Sequence, residues 1–187
     1  MPRYVLTGAP GAGKTAILRA LELAGHAVVE EAATDVILHG HALGQPHPED
    51  CPGFLAAITA LQVSRQRLAP GRGLVFFDRS PVCTLALARF LGRPLPAPLA
   101  AELRRVRRIY EPAVFFVRGQ GFVTPTAVRR ISLAGALAFE KVHEQAYREL
   151  GFELVEVPAG PLTERAAAIL ARVARPEGSA GACSGSW

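Results

Sequence analysis

Short apolar runs alternate with longer amphipathic stretches along most of this 187-residue chain. Several runs are apolar at consecutive positions, a pattern typical of strands that helices cover on both faces. The stretches between them are long enough to cross over a sheet, so the order β-α-β-α predicts parallel strands. The predicted strands are residues 3–7, 26–30, 73–78, 113–118 and 152–157.

Prolines lie at or before several helix starts, and Gly25, Gly92 and Gly151 follow three helix ends. Two segments, residues 38–52 and 119–131, have no regular pattern and are predicted to be irregular. Because ligands bind where loops leave the carboxyl ends of parallel strands, these segments are candidates for a substrate cover and a phosphate lid. The predicted helices are residues 13–24, 52–68, 81–91, 98–110, 133–150 and 162–173.

The composition, with 50% hydrophobic and 20% charged residues, is typical of a globular chain with one domain. The apolar runs are much shorter than the roughly 20 residues that span a bilayer, and no basic start followed by an apolar block marks a secretion signal. We therefore expect a cytoplasmic protein with no membrane partner. The domain is predicted over residues 1–175, and residues 176–187, which lack periodicity, are expected to form a disordered tail.

The net charge of +5 raises the question of a nucleic-acid partner. However, the chain has 19 arginines and only two lysines, a bias that would put arginine on any solvated helix face. The densest cluster, within residues 104–108, has no interleaved aromatic residues that could stack on bases. We therefore expect no nucleic-acid partner.

The segment GAPGAGKT, residues 8–15, follows the first predicted strand and opens the first predicted helix. It matches the phosphate-binding pattern G-x-x-x-x-G-K-[ST], in which glycines let backbone N–H groups surround phosphate oxygens. Lys14, one of the two lysines, would reach the β- and γ-phosphates, and the Thr15 hydroxyl would ligate Mg²⁺. The residues predicted to bind the nucleotide are Gly8, Ala9, Pro10, Gly11, Ala12, Gly13, Lys14, Thr15 and Ala16.

The third predicted strand ends in Asp78, which follows four apolar residues. An acidic side chain at this position is expected to hold Mg²⁺ directly or through water. The alternative is that Asp78 caps the next helix, and the two roles are compatible. Arg79, the next residue, could clamp a phosphate or the acceptor, or form a structural ion pair.

The second predicted strand ends in Glu30 and Glu31. A carboxylate beside the phosphate loop is well placed to accept the proton of an attacking hydroxyl group, and we favour Glu31 for this role. Asp35 is a weaker candidate, and solvated loop carboxylates remain the alternative. After the fourth strand, Arg129 or Arg130 could reach the γ-phosphate from a lid, with Arg118 as a competing candidate.

The chain resembles small single-domain P-loop ATPases of the AAA-like group. Within that group it is close to the nicotinamide riboside kinase domain of the bacterial NAD regulator, and it is more distantly similar to deoxynucleoside kinases. The resemblance covers residues 3–170 and depends on the segments VLTGAPGAGKT, VVEEA, FFDRS and YRELGFELVEVP.

This resemblance implies an α/β fold of the kinase-like P-loop NTPase type, a three-layer sandwich with a five-stranded parallel sheet in the order 2-3-1-4-5. It also implies ATP on the loop, Mg²⁺ near Asp78, Glu31 as the base and Arg129 as the lid arginine. The chain departs from the family in having Thr34 where relatives often carry arginine. Residues 127–128, Ala and Val, replace acidic residues that usually precede the lid arginine.

The leading hypothesis is therefore a Mg²⁺-dependent phosphotransferase for a small hydroxyl-bearing metabolite such as a nucleoside or riboside. The alternative is a nucleotide-binding switch with slow hydrolysis and a protein partner. Because no guanine-binding N-K-x-D motif is present, ATP is favoured over GTP. The acceptor and the oligomeric state are left open.

Overall fold

The computed structural model describes residues 1–119 and 132–174, apart from the side chain of residue 133. Its strands pair in parallel in one sheet with the order β2-β3-β1-β4-β5, which confirms the predicted α/β fold and strand order. The strands are β1 (Arg3–Thr7), β2 (Ala27–Val29), β3 (Val75–Asp78), β4 (Ala113–Val117) and β5 (Glu153–Val157).

Most helices agree with the prediction to within two residues at each end. The described helices are α1 (Lys14–Leu23), α2 (Ala32–Ala42), α3 (Phe54–Leu68), α4 (Pro81–Phe90), α5 (Ala97–Leu103), α6 (Val106–Ile109), α7 (Leu133–Glu149) and α8 (Leu162–Val173), with a 3-10 turn at Pro48–Asp50. None of them is long and apolar enough to cross a lipid bilayer.

The two faces of the sheet bury separate apolar clusters, because successive side chains of a strand point to opposite faces. On one face Leu6 and Phe115 pack with side chains of α1 and α8. On the other, Val5 and Val114 pack with side chains of α4 and α7. The result is a three-layer α/β/α arrangement.

The segment predicted to be irregular, residues 38–52, is partly helical, so that prediction is wrong for residues 38–42. These residues complete α2, whose apolar side chains pack against Phe54 and Ile58 of α3. This packing stabilises a helix that Gly40 would by itself disfavour. A Cβ on Gly40 would lie 2.5 Å from the Pro48 ring, so glycine allows the turn that follows to approach the helix.

The predicted helix 98–110 is also wrong as one continuous element. It divides into α5 and α6 at Arg105, whose φ of −113° departs from helical geometry. The backbone N–H of Arg105 bonds to the carbonyl of Glu102, 2.9 Å away, and closes a turn between the two helices. The short α6 then ends at Tyr110 in extended geometry, which leads the chain into β4.

The strand register brings the candidate site residues to one edge of the sheet. Leu6 of β1 pairs with Asp78 of β3, and Val29 of β2 pairs with Phe77. The segments that follow β1, β2 and β3 therefore leave the sheet side by side. The predicted lid, apart from Gly119, and the predicted tail lie outside the described residues.

Candidate functional site

The loop between β1 and α1 has left-handed backbone at three glycines. Gly8, Gly11 and Gly13 have φ values of 128°, 85° and 87°. A Cβ on Gly8 would lie 2.2 Å from the carbonyl oxygen of Val117, so the loop approaches β4 too closely for any other residue. Loops in which left-handed glycines alternate with other residues collect backbone N–H groups into an anion-binding concavity. The loop therefore fits a phosphate group.

Lys14 folds back over this loop. Its Nζ donates hydrogen bonds to the carbonyl oxygens of Gly8, at 3.1 Å, and Ala9, at 2.8 Å. Burial, followed by the positive charge of Arg79, lowers the pKa of Lys14 to about 8, although nearby carboxylates partly oppose the shift. A bound phosphate would compensate this buried charge.

Thr15 and Asp78 adjoin at the start of α1 and the end of β3. The Thr15 hydroxyl donates to Oδ2 of Asp78 at 3.3 Å. Oδ1 of Asp78 is buried and has no hydrogen-bond donor among the described residues. Burial raises the pKa of this carboxyl group, Glu31 adds to the shift, and Lys14 opposes it. A carboxylate oxygen without a donor beside a hydroxyl group is the ligand chemistry that Mg²⁺ prefers, so these residues fit that ion.

Arg79 and Glu31 form an ion pair across the ends of β3 and β2. Arg79 has a φ of 72°, and it is the one non-glycine residue with positive φ in the described ranges. The other carboxylate oxygen of Glu31 accepts a hydrogen bond from the Thr34 hydroxyl at 2.8 Å. Burial would raise the pKa of Glu31, but the charges of Arg79 and Lys14 outweigh it and hold the pKa below its ordinary value.

His143 of α7 forms a hydrogen bond with Arg79. Its Nδ1 lies 2.9 Å from the carbonyl oxygen of Phe139, which can only accept, so Nδ1 carries the proton. The Nε2 atom therefore accepts a hydrogen bond from Nη1 of Arg79 at 3.0 Å. Burial, followed by the charge of Arg79, lowers the pKa of His143 well below its ordinary value. The imidazole is a neutral acceptor that fixes the guanidinium.

A buried polar network anchors the start of α4. The Tyr147 hydroxyl lies 2.7 Å from Oγ of Ser80 and 3.2 Å from Sγ of Cys83. Cys83 in turn lies 3.2 Å from the hydroxyl of Thr7 at the end of β1. Ser80 also caps α4 by accepting a hydrogen bond from the N–H of Val82 at 3.2 Å. The network fixes the backbone directly after Asp78 and Arg79.

A cavity of about 530 Å³ extends from the phosphate loop into an apolar region, which we call the chamber. At the loop end it is lined by eight of the predicted site residues: Pro10, Gly11, Gly13, Lys14, Thr15, Glu31, Asp78 and Arg79. The chamber lies between side chains of α2, α3, α4 and α7. Its apolar lining consists of Ala33, Ile37, Phe54, Ile58, Leu87, Phe90, Leu91 and Phe139.

The other candidates from the sequence either do not line this cavity or lie outside the described residues. Asp35 does not line the cavity and instead pairs with Arg65 of α3. Arg118 pairs with three glutamates, two on α7 and one on β5. Arg129 and Arg130 lie outside the described residues, so their proposed role stays a prediction.

Arg165 of α8, which is only 4% exposed, is not among the site residues predicted from the sequence. Its two terminal nitrogens donate to the carbonyl oxygens of Ala12 and Arg118, each at 2.9 Å. A Cβ on Gly13 would lie 3.0 Å from the same guanidinium. Arg165 therefore joins the phosphate loop to the end of β4. The available signal was an arginine on the apolar stripe of α8, one turn before the fully buried Ile169.

His143 was missed for a similar reason. It lies on the buried stripe of α7 between Phe139 and Tyr147, where the helical period predicts an apolar residue. A titratable residue on such a stripe signals a polar partner inside the fold. The partner, Arg79, is distant in sequence and could not be identified from the pattern.

The solved structures that share this fold include two kinases. One is deoxyadenosine kinase from M. mycoides with dCMP and dCDP, at 13% identity and a TM-score of 0.59, covering 91% of this chain and 98% of that one. The other is shikimate kinase from Acinetobacter baumannii with shikimate, at 19% identity and a TM-score of 0.56, covering 92% and 93%. At these identities the likeness establishes the fold alone.

The search of curated proteins found no match to this sequence. The family model described as an AAA domain matches residues 3–165, which is most of the chain. The matched region contains the phosphate loop, the whole parallel sheet and the residues that line the cavity. The chain therefore belongs to the AAA domain family and has the fold of P-loop kinases.

Proposed function

We propose that this protein is an ATP-dependent kinase that phosphorylates a hydroxyl group of a small molecule. The observation that carries the proposal is that the phosphate loop and the apolar chamber line the same cavity. Hydrolysis of a nucleotide needs only water as the second reactant, whereas a chamber beside the phosphates provides room for an organic acceptor. The likeness of the fold to two small-molecule kinases supports this interpretation.

The loop residues Gly8 to Ala16 and the Lys14 ammonium group are proposed to hold the β- and γ-phosphates. Thr15 and Asp78 would hold Mg²⁺, and the unpartnered Oδ1 of Asp78 supports that assignment. When bound, this ion neutralises charge that develops on the phosphate oxygens. Arg129 is proposed to approach the γ-phosphate from the lid.

Glu31 is proposed to accept the proton of the acceptor hydroxyl group. The acceptor oxygen forms a bond to the γ-phosphorus, the bond from this phosphorus to ADP breaks, and the proton passes to the carboxylate. The lowered pKa of Glu31 keeps it ionised at neutral pH, as a proton acceptor must be. The ion pair with Arg79 would orient the carboxylate, and Arg79 could also contact the transferring group.

The acceptor is proposed to be a metabolite of the nucleoside or riboside class. The resemblance to the nicotinamide riboside kinase domain of the bacterial NAD regulator supports this class, as does the fold shared with deoxyadenosine kinase. The aromatic side chains Phe54, Phe90 and Phe139 in the chamber are compatible with a planar ring.

The test is ADP release from MgATP, first in buffer and then with pools of nucleosides, ribosides, sugars and hydroxy acids. The proposal predicts that one pool stimulates release and that Lys14→Ala abolishes it. Lys141→Ala changes the only other lysine, which is exposed on α7, and is expected to behave as wild type. Slow release that no pool changes, with tight nucleotide binding, would instead indicate a nucleotide-dependent switch.

A further inference from the structure

The acceptor chamber combines an apolar surface with uncharged polar groups. Besides its apolar lining it presents Thr34, Gln62 and Thr84. The Thr84 hydroxyl donates to Oε1 of Gln62 at 3.0 Å, so the amide and the hydroxyl lie together on the wall formed by α3 and α4. The rings of Phe90 and Phe139 lie 4.8 Å apart on another part of the wall.

The cations that line the cavity among the described residues are all engaged by the protein. Lys14 bonds to carbonyl oxygens of the phosphate loop. Arg79 is held between Glu31 and His143. Arg93 pairs with Asp50, Nη2 to Oδ1, at 3.2 Å, and its other terminal nitrogen bonds to the carbonyl oxygen of residue 49.

Carboxylates outnumber these cations. Glu31, Glu49, Asp50 and Asp78 line the same cavity as the three cations. In the proposed kinase Lys14 is occupied by the phosphates of the nucleotide, and both arginines of the lining are paired with carboxylates. An acceptor with its own carboxylate or phosphate would therefore meet no free positive charge among the described residues that line the chamber. To gain one it would have to displace Glu31 or Asp50 from its arginine, which would leave a protein carboxylate unpaired in a partly buried site.

From this charge arrangement we propose that the acceptor is a ring-bearing alcohol without an anionic group, selected by the exclusion of carboxylates and phosphates from the chamber. The inference depends on the proposed function in that it takes the chamber as the acceptor site. It adds a specificity rule that neither the phosphate loop nor the fold contains.

Binding is measured by calorimetry on the full chain with matched probe pairs, so that the result does not depend on turnover. The pairs are uridine with orotidine, and para-hydroxymethyl benzamide with para-hydroxymethyl benzoate. Each pair keeps the ring and the hydroxyl groups and differs by one carboxylate. In at least one pair we expect the uncharged member to bind at least about tenfold more tightly than its carboxylate analogue.

A designed cation tests the cause. Ile37→Arg places a guanidinium on α2 at a position that lines the chamber. This variant is expected to lose the preference and to bind the carboxylate member at least as well as the uncharged one. Leu38→Arg adds the same charge at the adjacent residue, which is half exposed and outside the cavity lining, and is expected to keep the wild-type preference.

The outcomes separate this inference from the kinase proposal. Selective binding of the uncharged probes without phosphorylation of any acceptor would sustain the exclusion of anions from the chamber and contradict the kinase. Phosphorylation of the carboxylate probes at equal or higher kcat/KM would sustain the kinase and overturn the inference. The inference also fails if no probe binds, or if Ile37→Arg and Leu38→Arg have the same effect.

Discussion

Arg79 Nε pairs with Oε1 of Glu31, and this ion pair connects the residue after β3 to the carboxylate after β2. Both residues line the cavity that the phosphate loop shares with the apolar chamber, where the two substrates of the proposed kinase would meet. Arg79 has a positive φ at this position, a conformation that costs a non-glycine residue of order 1–3 kcal/mol. The surrounding contacts with His143 and Glu31 stabilise it.

The first prediction concerns the proposed base. Glu31→Gln keeps the shape of the side chain and its ability to accept a hydrogen bond from Arg79, but removes the negative charge. We expect kcat for acceptor phosphorylation to fall about 100-fold or more, because general base catalysis contributes that much, while nucleotide affinity stays within a small factor. Steady-state kinetics and nucleotide titration provide the two readouts.

Glu30→Gln is the matched control for this experiment. Glu30 is the preceding residue, is half exposed and pairs with Arg19 on the surface, so its loss is expected to leave kcat unchanged. If Glu31→Gln retained full activity, the carboxylate would have only a structural role with Arg79.

The second prediction is that nucleotide affinity falls as pH rises through about 8, the pKa of Lys14 in the free protein. The ammonium group has lost its proton in a growing fraction of molecules above that pH, so it attracts phosphate less. Affinity should fall by up to about tenfold per pH unit until the pKa of the bound state is reached. Titrations of MgADP between pH 7 and 10 measure the profile.

Lys14→Arg keeps a positive charge throughout this range and should flatten the profile, even if it binds more weakly overall. Lys141→Arg should retain the wild-type profile. A wild-type affinity that is constant up to pH 10 would show that Lys14 is not the titrating phosphate ligand.

The third prediction concerns stability in acid. His143 is neutral in the folded protein, with a pKa well below 6.5, whereas in the unfolded chain it takes a proton near that pH. The unfolded state therefore binds more protons below about pH 6.5, and the free energy of unfolding should fall with decreasing pH by up to about 1.4 kcal/mol per unit from this group. Urea unfolding at several pH values measures the slope.

His143→Gln supplies an amide oxygen to Arg79 but cannot titrate. It should remove that part of the acid dependence while costing some stability at neutral pH. An unchanged slope in the variant would mean that other groups cause the acid sensitivity.

The fourth prediction concerns Arg165, which joins the phosphate loop to the end of β4. Arg165→Met removes two hydrogen bonds from a charged donor and leaves the carbonyl oxygens of Ala12 and Arg118 without this partner. We expect a loss of about 2 kcal/mol in the free energy of unfolding and about tenfold weaker nucleotide binding, because the loop loses its fixed geometry.

Arg172→Met, on the same helix, removes a partly exposed ion pair and should change stability by about 0.5 kcal/mol or less. Both variants are compared at a temperature where each is fully folded. Unchanged nucleotide affinity in Arg165→Met would limit this residue to a structural role.

The features that local chemistry determines could be predicted from the sequence. The phosphate loop is one continuous motif, and parallel strands bring the residues that follow them to one edge, so Lys14, Asp78 and Glu31 could be expected near each other. The strand order was available only through the resemblance. The existence of α2 was missed because its stability comes from packing on Phe54 and Ile58 rather than from its own pattern.

The supporting contacts could not be predicted, because they join side chains far apart in the chain. Arg79 and His143 are 64 positions apart, and Arg165 lies 153 positions from Ala12. In the sequence, only the positions of His143 and Arg165 on apolar helix faces indicated that these two side chains had buried partners. Asp35 was the weaker candidate for the base in the sequence, and its ion pair with Arg65 could not be predicted because it depends on the packing of α3 beside α2.

Phosphoryl transfer is tested by following the γ-phosphoryl group itself, with ATP labelled at that position and the acceptor pool that stimulates ADP release. If the protein is a kinase, the label appears in a phosphoester of the acceptor, in amounts equal to ADP, and Lys14→Ala forms none. Label recovered only as inorganic phosphate, at a rate independent of every acceptor, would contradict the proposed kinase activity.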